Sequence, residues 1–249
     1  MKRIFPEMYD RPENFMPFAA FGYWIFAFVL IPLFMPLIGD GLWTNPKAAS
    51  WLEFIYHVIN ALVIVGMFRP YLRDSFLNVQ LDIGKFLKTV GIAVLLMLAL
   101  ALPLILSLAL TPYFFPFPMV ADAYPMNEMS IAVSSGVMVD KLPVFGTLCH
   151  VLFAPVAVVG LYYAVGFAPM CCRKSWLGYL VVTGLLMLPS AFDILWRGNA
   201  EYVVCVFLLQ LPIHLIACWS YQKADTVWAP IVTLSVFNLI TSLCGIFLT

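Results

Sequence analysis

Charged residues are scarce in this chain. Of its 249 residues, 10% are Asp, Glu, Lys or Arg, whereas 63% are hydrophobic, and the mean hydropathy is +0.98. Soluble domains are about a quarter charged and roughly half apolar, so this composition indicates an integral membrane protein. Basic and acidic residues number 13 each. This balance argues against a nucleic-acid partner held by bulk electrostatics and leaves the lipid bilayer as the first expected partner.

Motifs of several known chemistries are also missing. The sequence contains no H-E-x-x-H motif, no rhomboid-type G-x-S-G motif, no G-x-G-D motif and no Walker motif. Its six cysteines form no C-x-x-C pair, and most of them lie inside apolar runs. Neither a zinc knuckle nor a disulfide framework is therefore predicted. We expect no metal and no other cofactor.

Seven apolar runs are long enough to cross a bilayer, which takes about 20 mostly apolar residues. They cover approximately residues 16–39, 51–70, 88–110, 143–168, 175–196, 202–221 and 226–247. The first run is too long for the apolar part of a signal peptide, so no cleavable signal is predicted. The predicted fold is an all-α polytopic membrane protein that forms one domain over residues 1–249.

The positions of Lys and Arg predict the orientation of these spans. With the N-terminus in the cytoplasm, ten basic residues lie inside and three lie outside, namely Lys47, Lys141 and Arg197. The prediction is a multi-pass protein of the cell membrane with its C-terminus outside. A long outer connection, at about 111–142, separates three N-terminal spans from the last four.

A few polar or ionisable side chains lie within the predicted spans. Gln210 and His214 are one turn apart and share a helix face. A hydrogen bond from His214 to Gln210 or Asn238 accounts for this histidine best. Two other pairs with a spacing of four residues are found near span ends, Glu53 with His57 and Asp193 with Arg197. Glu53 and His57 could bind a metal or relay a proton, and Asp193 could be a substitute ligand. A hydrogen-bonded pair explains the first better, and an interfacial Asp–Arg pair explains the second better.

Two stretches resemble the motifs of a known family. The first is Phe153 to Phe167, F-A-P-V-A-V-V-G-L-Y-Y-A-V-G-F, and the second is Trp228 to Asn238, W-A-P-I-V-T-L-S-V-F-N. The chain resembles the CAAX-protease and bacteriocin-processing (CPBP, or Abi) family of intramembrane endopeptidases. Typical members have a-P-i-x-E-E-x-x-F-R-G in the first place and W-A-P-I-x-x-H-x-x-x-N in the second. The resemblance covers approximately residues 127–242 and implies that the last four spans form a CPBP-like bundle around a cavity.

The catalytic residues of that family are replaced at the matching positions. Val158 and Val159 stand for the paired glutamates, Tyr162, Tyr163 and Ala164 for Phe-Arg-Gly, and Leu234 for the histidine. Asn238 is retained. In the family, a glutamate is the general base that activates water, so the resemblance implies a pseudo-protease with no catalytic residue in these places.

The predicted function is that of a catalytically inactive CPBP-family protein that binds a membrane protein or a peptide. It would be a scaffold, a regulator or an immunity-type protein, and the family implies a bacterial cytoplasmic membrane. The predicted binding residues are Val158, Val159, Tyr162, Tyr163, Gln210, His214, Leu234 and Asn238. Two alternatives stay open: an active endopeptidase with a rearranged site that uses His214, Asp193 or His57, and a small transporter or lipid-handling protein with a polar path past Gln210, His214 and Asn238.

Overall fold

The computed structural model describes residues 22–31, 46–114, 148–163, 166, 175–196 and 202–248. Every regular element within these residues is helical, which confirms the all-α prediction. In chain order they are a π-helical segment at Ile25–Leu30, α1 at Pro46–Met67, α2 at Arg69–Leu81, α3 at Ile83–Phe114, a second π-helical segment at Cys149–Phe153, α4 at Ala154–Tyr162, α5 at Ser175–Trp196, α6 at Tyr202–Ala224 and α7 at Trp228–Leu248.

Helices lie where the apolar runs predicted them. The run at 175–196 has the same bounds as α5, and the runs at 202–221 and 226–247 agree with α6 and α7 to within three residues. The run at 16–39 falls within the described part of the chain only over 22–31. Most of the predicted outer connection at 111–142 lies outside the described residues, although α3 continues to Phe114.

One helical stretch in the described part of the chain is long and apolar enough to cross a membrane. It is Ile83–Leu100 of α3, with a mean hydropathy of 2.0. A second qualifies if Phe54–Met67 and Arg69–Leu81 are counted as one broken span. Val151–Tyr162, Trp176–Leu188 and Trp228–Thr241 are apolar but shorter. The structure thus establishes the helices, but not seven crossings or their orientation.

The chain bends by 82° between α1 and α2. Phe68, which lies at the bend, is buried, and Pro70 occupies the first turn of α2. Proline has no N–H to donate to the carbonyl four residues earlier, so α1 cannot continue through Pro70 as a regular helix. The same residue is well suited to the first turn of a new helix, where that N–H would have no partner.

The main hydrophobic core joins helices from both halves of the chain. Its largest fully buried side chains are Ile64, Phe68, Met97, Val159, Leu161, Tyr163, Val182, Val227 and Phe237. Ile64 belongs to α1 and Met97 to α3. The core is therefore not confined to the last four predicted spans, because the first helices supply part of its centre.

A smaller cluster holds the corner between α2 and α3 against the end of α6 and the start of α7. It consists of Val79, Phe86, Val90, Val94, Ala224 and Ala229. Phe86, Val90 and Val94 are spaced four residues apart and so form one stripe along α3. The opposite side of α3 exposes large apolar side chains, among them Leu95 at 67%.

Candidate functional site

The first motif-like stretch forms α4, which packs closely against α1. Gly160 makes this approach possible, because a Cβ atom at that position would lie 3.0 Å from Cγ2 of Ile64. Val159, next to it, is 2% exposed, and Val158 is half-buried against the same core. Both valines at the predicted glutamate positions therefore pack against apolar neighbours.

The two adjacent tyrosines of this stretch contact different parts of the protein. The ring of Tyr162 lies edge-on to Trp24, with centroids 6.2 Å apart. The hydroxyl of Tyr163 donates to Sγ of Cys218 in α6 at 3.3 Å, and its ring lies 5.4 Å from that of Tyr221. Both tyrosines are buried, so their rings contribute to the packing between helices.

The second motif-like stretch forms the first half of α7. Leu234 and Asn238 are one turn apart there and are 8% and 2% exposed. Leu234 belongs to the same hydrophobic cluster as Val159 and Tyr163. The structure therefore places four of the predicted site residues, Val159, Tyr162, Tyr163 and Leu234, in one packed core, and Val158 packs against it.

His214 was expected to bond to Gln210 or Asn238. Its Nδ1 atom is buried and has no hydrogen-bond partner among the described residues, and the same holds for Oγ1 of Thr233 in α7. Gln210 lies in α6, but its side chain is outside the described part of the chain. Two unsatisfied polar atoms on neighbouring helices are costly to bury, because each loses its hydrogen bonds to water.

The other ionisable candidates do not assemble into a site in the part of the chain that the structure describes. His57 lies edge-on to its neighbour Tyr56, with ring centroids 5.2 Å apart. The side chains of Glu53 and Asp193 and the whole of Arg197 lie outside the described residues. Among the residues that are described, no group of three or more His, Cys, Asp or Glu side chains is arranged to hold a metal ion.

A polar junction between α2 and the α6–α7 turn was missed in the sequence. The indole N–H of Trp228 donates to the carbonyl of Leu72 at 2.9 Å, and the Asn78 amide donates to the carbonyl of Asp225 at 2.8 Å. Between these two bonds, the hydroxyl groups of Ser75 and Thr226 contact each other. The spacing of Leu72, Ser75 and Val79 could have revealed a helix with one buried face, but its contact with a turn about 150 residues later leaves no local pattern.

Tyr71 links this junction to the main core. Its hydroxyl donates to the hydroxyl of Tyr221 at 3.3 Å, and Tyr221 in turn packs against Tyr163. Burial raises the pKa of the Tyr71 phenol, so this residue remains a neutral hydrogen-bond donor. A row of three tyrosines therefore runs from Tyr71 in α2 through Tyr221 in α6 to Tyr163, the residue that follows α4.

A second missed contact joins the first π-helical region to α1. The hydroxyl of Tyr23 donates to Oδ1 of Asn60, and the hydroxyl of Tyr56 donates to the carbonyl of Ala27 at 2.5 Å. Asn60 is 3% exposed, so its amide is held inside the protein. A buried, hydrogen-bonded amide of this kind fixes how two helices face each other.

Comparison with known proteins gives no relative, since no family model, no curated protein and no solved structure matches the chain. The resemblance to the CPBP family rests on the two motif-like stretches alone.

Proposed function

We propose that the chain is a seven-span membrane protein that lacks peptidase chemistry and binds another membrane protein or a peptide. In this proposal it is a degenerate relative of the CPBP family and acts as a scaffold, a regulator or an immunity-type protein. Its N-terminus lies in the cytoplasm and its C-terminus outside, in a bacterial cytoplasmic membrane. The observation that carries the proposal is the packing of Val159, Tyr163 and Leu234 into one hydrophobic core.

The chemistry of these three side chains supports a role without catalysis. A general base must accept a proton from water, and neither valine nor leucine has an atom that can do so. Tyr163 already donates its proton to Cys218 inside the core. Side chains that are packed in this way stabilise the contact of α4 with α6 and α7, and binding is left to the outer surfaces of the helices.

The outer surface of α3 supports insertion into lipid. Only 28% of the Ile83–Leu100 stretch is buried, whereas the core helix of a soluble protein is mostly buried. Ile92, Leu95, Leu96 and Leu100 form a continuous apolar stripe on its open side. Soluble monomers rarely expose so large an apolar surface, while a bilayer covers it favourably.

The membrane part of the proposal is tested by extraction of native membranes with alkaline carbonate. The chain should stay in the pellet, and a protein released into the supernatant would refute it.

The binding part is tested with a photo-crosslinking amino acid placed at Leu62 of α1 or at Leu95 of α3, which are 66% and 67% exposed. We expect one defined crosslinked partner from one of these faces. Lipid adducts alone at both positions would argue against a partner there.

The inactive state has its own test. The purified chain should not hydrolyse membrane peptides, and its His214→Ala variant should behave in the same way. Peptide cleavage that disappears in His214→Ala would instead support the rearranged endopeptidase.

A small transporter or lipid-handling protein is a second candidate, and the unpaired atoms of His214 and Thr233 favour it. Ionisable residues inside a membrane often mark a path for protons or substrates. Proteoliposomes with a trapped pH-sensitive dye would show proton flux in the wild type and none in His214→Leu. The matched control is Leu215→Ala, which changes the exposed neighbour on the same helix.

A further inference from the structure

The α2 helix has one buried face and one open face. Tyr71, Leu72, Ser75 and Val79 are buried against the rest of the protein. The open side carries Leu77 and Leu81, which are one turn apart and 48% and 84% exposed. Two exposed leucines side by side on the open face of a helix indicate a binding partner that accepts apolar groups.

Basic residues surround these leucines. Residues 69–88 contain four basic side chains and two acidic ones, so the segment has a formal net charge of 4 − 2 = +2. Arg69 and Arg73 lie one turn apart on the exposed side of α2. Asp82 is exposed, but its Oδ1 already accepts the backbone N–H of Lys85 at 2.9 Å and so caps the start of α3.

The exposed leucines of α2 continue the apolar stripe of α3. The stripe runs from Leu95 through Ile92 and Leu87 to Ile83, the first residue of α3. Leu81, the last residue of α2, lies just before it in the chain. Lys85 and Lys88 lie in the first two turns of the same helix. Apolar side chains interleaved with basic ones at the end of an apolar helix are typical of the boundary between hydrocarbon and head groups.

We propose that Arg69, Arg73, Leu77, Leu81, Lys85 and Lys88 form a lipid-binding surface, the α2 surface, that prefers anionic phospholipids to zwitterionic ones. The leucines enter the acyl boundary, and the basic side chains bind phosphate groups of the inner leaflet. The 82° bend at Phe68 directs α2 away from α1 and lets it lie along that boundary. The inference rests on the proposed membrane insertion, and it adds the chemical class of the lipid.

The test uses the purified full-length chain in a neutral detergent. It is titrated with fluorescent phosphatidylglycerol and with fluorescent phosphatidylcholine of the same acyl chains, at low and at high salt. Each basic residue near an anionic surface contributes about a fivefold gain in affinity. We expect phosphatidylglycerol to bind at least about tenfold more tightly than phosphatidylcholine at low salt, and we expect salt to reduce this ratio.

Charge variants show whether the α2 surface is responsible. Arg73→Gln combined with Lys85→Gln and Lys88→Gln leaves Arg69 as the one basic side chain of the α2 surface and should lower the affinity ratio severalfold, toward one. The charge-preserving combination of Arg73→Lys, Lys85→Arg and Lys88→Arg should keep the wild-type ratio, and so should Lys223→Gln, which neutralises an exposed cation on α6. Thermal unfolding of each variant within a few degrees of the wild type establishes that the fold is intact.

Four results would overturn the inference. The first two are equal affinity for the two lipids in the wild type and an unchanged ratio in the triple Gln variant. The third is equally tight binding of soluble glycerol phosphate, which would leave the leucines without a role, and the fourth is capture of an acidic soluble protein in place of lipid. Release of the chain by alkaline carbonate would instead refute the membrane proposal itself, so the two failures are distinguishable.

Discussion

The hydroxyl oxygens of Ser75 and Thr226 lie 2.9 Å apart and join α2 to the α6–α7 turn across 151 positions of sequence. Thr226 donates its proton to the backbone carbonyl of Ser75 at 2.8 Å. Because a hydroxyl group has one proton, Ser75 is then the donor between the two hydroxyls. Its oxygen also accepts the N–H of Val227 at 2.8 Å. Ser75 therefore holds the residue that precedes α7 from a different helix, while the N–H of Trp228, the first residue of α7, donates to the Thr226 hydroxyl at 3.3 Å.

Replacement of Ser75 by alanine should destabilise the protein by about 1–3 kcal/mol, because the buried N–H of Val227 and the oxygen of Thr226 each lose a partner. Denaturant or thermal unfolding in detergent measures this change. Gln80→Ala, at an exposed position of the same helix, is the control and should be close to neutral. If the two variants unfold alike, the junction does not hold α7 in place.

Asp225 adopts a left-handed backbone conformation, with φ of 58°. Aspartate tolerates this region, whereas a β-branched residue does not. Asp225→Val should therefore cost about 1–2 kcal/mol, and Asp225→Gly should be neutral or slightly stabilising. The bond from Asn78 to the carbonyl of residue 225 is available in both variants, so their difference in unfolding free energy isolates the backbone term. Equal stability would show that the turn relaxes to another conformation.

The helices could be predicted from the sequence because their apolar runs are long and nearly free of charge. The run at 175–196, for example, has the bounds of α5. The α2 helix was missed because its 13 residues are too short and too polar for a span. The contact of Ile64 with Gly160 could not be predicted either, since spacing within one helix does not determine which other helix it meets.

The two motif-like stretches contribute to the same core. Val159 and Tyr163 of the first stretch and Leu234 of the second belong to one hydrophobic cluster. Resemblance to a cavity-forming family implied that they line an open space, whereas their burial places them in packed core. Side-chain volume decides between these outcomes, because valine, tyrosine and leucine fill a space that short polar groups and water could otherwise occupy.

Enlargement of Gly160 should force α1 and α4 apart. A Cβ atom there already meets Ile64 at 3.0 Å, so Gly160→Leu should cost about 1–3 kcal/mol through overpacking. In the Ile64→Ala background the same change should cost less, and a double-mutant cycle measures this coupling. Gly91→Ala is the control, because nothing lies within 4 Å of its added Cβ and alanine favours a helix by about 1 kcal/mol. Absence of coupling between positions 64 and 160 would contradict the close packing of the two helices.

Substitution of Val159 by glutamate should disrupt the fold without creating peptidase activity. Val159 is 2% exposed, and the basic residue that accompanies the glutamates in the family that the two motif-like stretches resemble is absent here. An ionised carboxylate there would be buried without a partner, so Val159→Glu should lower the yield of folded protein and cost at least about 3 kcal/mol. Val159→Ala removes two methyl groups without adding charge and should cost less, about 1–3 kcal/mol. Val158→Glu, at the half-buried neighbour, should be intermediate.

Size-exclusion chromatography and thermal unfolding in detergent rank the three variants. A Val159→Glu protein as stable as the wild type would mean that water reaches this position, and the proposal of a closed, non-catalytic core would then have to be abandoned.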